Sequence, residues 1–146
     1  MSRVTNRITI RPPIEDVFAV LTDVEKTGTW FPGDVEEHWT SPPPHGVGST
    51  RHAVMRMRGR RSENDAVVIE YDPPHKAAMA GTSPNAPFVA TLVFSRDGQA
   101  TIVEVTTELA LRGAGRIVGP FFAAWYGRAW ARGLETLKRS MESGQL

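Results

Sequence analysis

The chain has 146 residues, 40% of them hydrophobic and 23% charged, which fits one ordinary domain and excludes a disordered chain or a fibre. A formal net charge of +1 gives no electrostatic case for nucleic acid or anionic membrane as a partner. Cysteine is absent, which excludes a disulfide scaffold, a thiolate metal site and a cysteine nucleophile.

Arg3 to Arg11 alternates, with Val4, Ile8 and Ile10 on one parity, and predicts a strand with one buried face. Pro12-Pro13 ends it. Pro13 suits the first position of a helix, where a missing N–H costs nothing. Glu15 and Asp16 follow in the first turn, where carboxylates suit the positive end of the helix dipole. Ile14, Val17, Phe18 and Leu21 then fall on one helical face. Asp23 is placed to cap a second short helix reaching Trp30, which Pro32-Gly33 closes.

From Val35 the period becomes two. Val35, Glu37 and Trp39 predict a short strand, and Ser41 to Gly46 a loop. Gly48–Arg58 and Arg61–Tyr71 are the next strands, joined at Gly59-Arg60. Pro73-Pro74 breaks the chain before a short strand over Lys76–Gly81. Phe88–Ser95 and Ala100–Leu111 form a hairpin around Arg96-Asp97-Gly98-Gln99, since Asp-Gly is a strong hairpin signal. In the last strand Val103, Val105, Thr107, Leu109 and Leu111 face the interior. Ile102, Glu104, Thr106 and Glu108 face water.

The longest periodic segment ends near Ser143, and Pro120 implies that its helix starts there or kinks there. Val118, Phe122, Trp125, Tyr126, Ala129, Trp130, Gly133, Leu137 and Met141 fill one arc, and charged residues fill the other. From Pro120 to Glu142 this helix would be on the order of 35 Å long. The fold class is therefore α+β. A curved antiparallel sheet of about six strands must cover its apolar face, and one long aromatic-bearing helix is the natural plug. Residues 1–146 form a single domain. No apolar h-region opens the chain and no run approaches about 18 apolar residues. A cytoplasmic protein without an integral membrane segment is the expectation.

Several pieces carry a resemblance. They are Ile10 to Phe18 at the first strand–helix junction, Leu21-Thr22-Asp23 followed by Trp30-Phe31-Pro32, and Gly46 to Ser49 opening a strand. Glu70 to Pro74 closes another, and Leu134 to Lys138 lies in the final helix. In this order and spacing the chain resembles the START-like helix-grip (SRPBCC) superfamily, and within it the bacterial polyketide cyclase/dehydrase and lipid-transport group. The resemblance implies a sheet of six to seven strands wrapped around the long helix. It also implies a tunnel between them that opens near the short helices.

The candidate ligand-binding residues follow from that geometry. Phe122, Trp125, Tyr126 and Trp130 form an aromatic stripe that suits a flat or extended apolar ligand, and that equally suits a plain core. A buried Tyr126 hydroxyl needs a partner and could orient a ligand carbonyl. Met55, Met57 and Met79 face inward by parity, as do Val105 and Thr107, and flexible thioethers suit adaptable pockets or an ordinary core. Trp30 and Phe31 either gate the mouth or anchor a loop. Arg51, Arg56, Arg58, Arg60 and Arg61 crowd one region, and a solvated sheet face is the better reading than an anion-binding stripe. Parity puts Arg56, Arg58 and His52 outside; an interior arginine holding a ligand carboxylate would need the register to slip by one residue. His38, His45, His52 and His75 make no metal-ligand spacing, and neither a metal nor a cofactor is expected.

Three functions remain open. The first is a carrier for a small apolar or lipid-like molecule. The second is a polyketide cyclase, aromatase or dehydrase using Tyr126, His52 or Arg56 as donor, base or clamp. The third is a protein-interaction module with a vestigial cavity. The expected partner is a small apolar molecule, not nucleic acid, and the expected state is a monomer or homodimer.

Overall fold

The computed structural model describes residues 2–57, 59–83, 87–109 and 115–144. The side chains of Met57 and Phe122, both expected in the interior, lie outside the described residues, as do Arg58, Leu111 and the side chain of Val118. The elements run β1 (Ser2–Ile10), α1 (Ile14–Leu21), a 3-10 turn η1 (Val24–Thr29), β2 (Asp34–Trp39), β3 (Thr50–Met57) and β4 (Arg60–Asp72). They continue with β5 (Lys76–Gly81), β6 (Phe88–Asp97), β7 (Ala100–Leu109) and α2 (Gly115–Glu142).

All seven strands form one curled antiparallel sheet in the order β1-β7-β6-β5-β4-β3-β2. The β6–β7 hairpin pairs Asp97 with Ala100, so Gly98-Gln99 is its two-residue loop. β7 alternates without a break: Thr101, Val103, Val105, Thr107 and Leu109 are buried, and the residues between them are not. A register shift between Val68 and Glu70 leaves Ile69 exposed on β4, a bulge that sharpens the local bend.

Two local starts follow their sequence signals with small differences. Pro13 stands one residue before α1, in extended conformation, and its carbonyl accepts from the N–H groups of Asp16 and Val17. Asp23 caps η1 by accepting from the Glu25 N–H at 3.1 Å. At the other end of the chain, α2 begins at Gly115 and passes through Pro120 instead of starting there. The missing N–H removes one intrahelical bond, and the helix tolerates it.

α2 lies along β1 and parallel to it. Asn6 donates to the Gly127 carbonyl at 3.0 Å, Lys138 donates to the Thr9 carbonyl at 2.9 Å, and the Arg11 N–H donates to Glu142 at 3.0 Å. Two glycines permit the contact. A Cβ on Gly127 would sit 2.8 Å from the Val4 side chain, and one on Gly133 would sit 3.2 Å from Trp30 and Pro32. Beneath the helix, Ile10, Ile14, Val17, Phe94, Val103, Val105, Leu134 and Leu137 form a closed core. Phe18 packs edge-on against Phe94 at 5.0 Å within it.

Candidate functional site

Away from that core, an aromatic cluster joins the segment after η1 to α2. Tyr126 and Trp130 lie one turn apart on α2, with ring centroids 6.4 Å apart. Trp30 and Phe31, just past η1, approach Trp130 at 5.5 and 5.4 Å, and Phe31 reaches Tyr126 at 6.4 Å. Trp30 and Phe31 are buried, whereas Tyr126 and Trp130 keep part of their surface accessible. Across from them, the inward-facing Met55, Met79, Ala90 and Leu92 are also half-buried. Of the strands, α2 packs chiefly against β1.

A buried charged group lies on the inward face of β3. Arg51, in the middle of β3, is 7% exposed. Its Nε is 3.3 Å from the Glu37 carboxylate on β2 and 3.2 Å from the Met79 sulfur on β5. Its Nη1 donates to the Asn64 backbone carbonyl at 3.2 Å and to the Asn64 side-chain oxygen. The Phe88 ring lies under the guanidinium, 5.8 Å from centroid to Cζ, a cation–π placement.

Sequence reasoning placed Arg51 in a solvated stripe, and the structure corrects this. The interior position needs no slip in register: Arg51 shares its parity with Ala53 and Met55, which also face inward. Glu37 shares the parity of the buried Val35. Those two parities were the available signal. Two other positions could not be ranked from sequence: Val105 and Thr107 do face inward, but they are sealed in the sheet's closed half.

Burial pushes the Glu37 carboxyl above its ordinary range, with Arg51 and then Thr27 opposing. Burial likewise raises the Tyr126 phenol, opposed chiefly by the neighbouring Trp130 indole. Tyr126 is therefore a neutral hydroxyl near neutral pH. Trp130 Nε1 lies near that phenol without reaching hydrogen-bond geometry. It and Trp30 Nε1 are wholly enclosed and have no partner among the described residues.

His52 and Arg56 lie on the outer face. Arg56 faces Asp34 and Glu36 at 3.5 and 3.9 Å. His52 sits between Asp65 at 2.8 Å and Glu63 at 3.4 Å, and the Asp65 hydrogen bond is the main cause of its raised pKa. Since the folded value is raised, any stability from this contact is present below the ordinary 6.5 and is lost as pH rises through the folded value. An NMR titration of His52 is expected to show a midpoint above 6.5 that falls in Asp65→Asn. A midpoint at or below 6.5 in the unmodified protein would mean that solvent screens the contact completely.

Trp125 is half-buried, with its ring 6.4 Å from Tyr126. Two surface clefts lined by described residues lie elsewhere: one of about 240 Å³ between Arg11, Glu15 and Arg96, the other of about 520 Å³ beside Pro32 and Arg132. Neither includes Arg51, Tyr126 or Trp130. Among the described residues no group of three His, Cys, Asp or Glu is placed to hold a metal, and no helix is long and apolar enough to cross a membrane.

A family model described as polyketide cyclase / dehydrase and lipid transport matches residues 1–142. No curated protein matches the chain in sequence. Among solved structures, TTHA0849 from Thermus thermophilus superimposes with a TM-score of 0.82 at 17% identity, over 99% of this chain and 100% of that one. CV1439 from Chromobacterium violaceum gives 0.74 at 13% identity, over 95% and 96%. The Aha1 dimer from Colwellia psychrerythraea gives 0.71 at 20% identity, over 100% of both chains. At these identities the likeness is one of fold.

Proposed function

The chain belongs to the polyketide cyclase / dehydrase and lipid transport family, and from that premise we propose that it binds one small, largely apolar molecule in a trough between sheet and α2, as a carrier. One observation carries the reading. Met55, Met79, Ala90, Leu92, Tyr126 and Trp130 face inward yet keep accessible surface, while the same faces a few residues away are closed at Val103, Ala129 and Leu137. Accessible apolar and aromatic surface, concave and with a few convergent polar groups, is what a small-molecule site offers. The adaptable thioethers of Met55 and Met79 suit a ligand whose shape varies. The carrier is taken to be cytoplasmic and a monomer or homodimer; the Aha1 structure with this fold is a dimer.

Native mass spectrometry of the purified protein, followed by solvent extraction, tests this. The expected result is an apolar molecule bound near one-to-one, with occupancy lost in Trp130→Ala while the far-UV spectrum is kept. A protein that is isolated empty and takes up no neutral apolar dye would overturn the reading.

A cyclase- or dehydrase-type enzyme is the second reading, and one observation favours it. The Glu37 carboxyl is held above its ordinary range beside the trough, near enough to Tyr126 for their charges to interact. That is the environment of a proton donor. Under this reading Glu37→Gln removes turnover and leaves ligand uptake intact.

A further inference from the structure

We propose that the outer face of α2 docks on an anionic lipid bilayer, held by Arg128, Arg132 and Arg139 and seated by Phe121. The inference does not depend on a ligand between sheet and helix.

The small net charge hides a segregation. α2 carries Arg116, Arg128, Arg132, Lys138 and Arg139 against Glu135 and Glu142, and β1 beside it adds Arg3 and Arg7 and no acid. These two elements hold a formal charge of +5 in a chain whose total is +1, so the rest of the chain is −4. The field of the molecule is therefore positive on the side where α2 lies, although the total is close to zero.

The arginines there are also uncommitted. Among the described residues, the ion pairs of arginine and lysine use Arg11, Arg51, Arg56, Arg61, Lys76 and Arg96. Arg128, Arg132 and Arg139 are exposed and take part in none of them. At about 100° per residue these three and Phe121 fall within about 20° of one line along the helix. Glu135 lies close to that line and offsets one arginine, while Glu142 is turned to Arg11. The line runs about 27 Å from Phe121 to Arg139. A straight ridge of that length meets a plane at every turn, which a small anion cannot use.

Phe121 supplies the second, independent feature. It is 77% exposed, more than any other large apolar side chain among the described residues. Ala123, Ala129, Leu134 and Leu137 already make the contacts of α2 with the core, so Phe121 adds nothing to the fold. At a bilayer interface its ring would leave water among the head groups while the arginines meet lipid phosphates. Two other occupants fit less well. A second copy docked through the same face sets arginine against arginine. A nucleic-acid duplex takes arginines on its phosphates and offers Phe121 no apolar layer.

Sedimentation of the full chain with sucrose-loaded vesicles, at neutral pH and physiological salt, tests this. Vesicles of equal parts phosphatidylglycerol and phosphatidylcholine are expected to bind about tenfold or more tighter than phosphatidylcholine alone. Arg128→Glu/Arg132→Glu should weaken binding to the anionic vesicles about 25-fold or more, at roughly fivefold for each arginine lost. Phe121→Ser should weaken it about tenfold. Arg60→Glu/Arg61→Glu alters two exposed arginines of β4 and changes the net charge equally. It should stay within about twofold of the unmodified protein. Absence of binding to the anionic vesicles would overturn the proposal, as would equal losses in the two double variants or full binding by Phe121→Ser. Tighter binding to a DNA duplex than to the vesicles, lost with Arg128 and Arg132 and indifferent to Phe121, would overturn it in favour of nucleic acid.

Discussion

Glu37→Leu is expected to destabilise the fold by roughly 3–5 kcal/mol, the cost of breaking a buried ion pair from one side. Arg51 has 8% and Glu37 14% of its side chain exposed, so water does little to replace the lost partner. Asn64 and Phe88 remain and place the loss toward the lower end. Adding Arg51→Met is expected to return most of it, since a buried pair exchanged for apolar residues of similar size is often neutral or stabilising. Urea denaturation of the single and double variants checks both. A single variant within about 1 kcal/mol of the parent would mean that water reaches the guanidinium as it would at a surface pair.

Trp30→Ala is the second large effect, with an expected loss of about 3–5 kcal/mol, the range for a fully packed aromatic. Trp30 is 3% exposed, lies 5.5 Å from Trp130 and 5.8 Å from Phe31, and rests against Gly133. It joins the end of η1 to α2, so truncation empties the crossing point and frees the helix there. Trp125→Ala, at a half-buried position, is expected to cost clearly less. The checking measurement is the denaturation midpoint of each variant. Equal losses would mean that Trp125 is as firmly packed as Trp30 and belongs to the core.

Local signals read well. The pattern of α1, the Asp23 cap, the Asp97-Gly98 hairpin and the strict alternation of β7 each depend on a few neighbouring residues, and each is present. The inward parity of Met55 and the aromatic face of α2 were equally legible, because period two and period 3.6 are properties of a single element. Pro120 was read as the start of the last helix or a kink in it; α2 already begins at Gly115, and packing of the rest of the helix outweighs one lost hydrogen bond.

Arg51 marks the limit. Five arginines within one stretch suggested a wet face, although parity alone sorts Arg51 with Ala53 and Met55. Sequence by itself determined the fold class, the order of the elements and which residues share a face, because these follow from spacing along one strand or helix. Only the tertiary structure decided that Glu37, Asn64, Met79 and Phe88 converge on Arg51, and that Val105 is sealed while Met55 stays accessible. Those outcomes depend on the register of five strands and on α2 settling over β1, and long-range packing sets both.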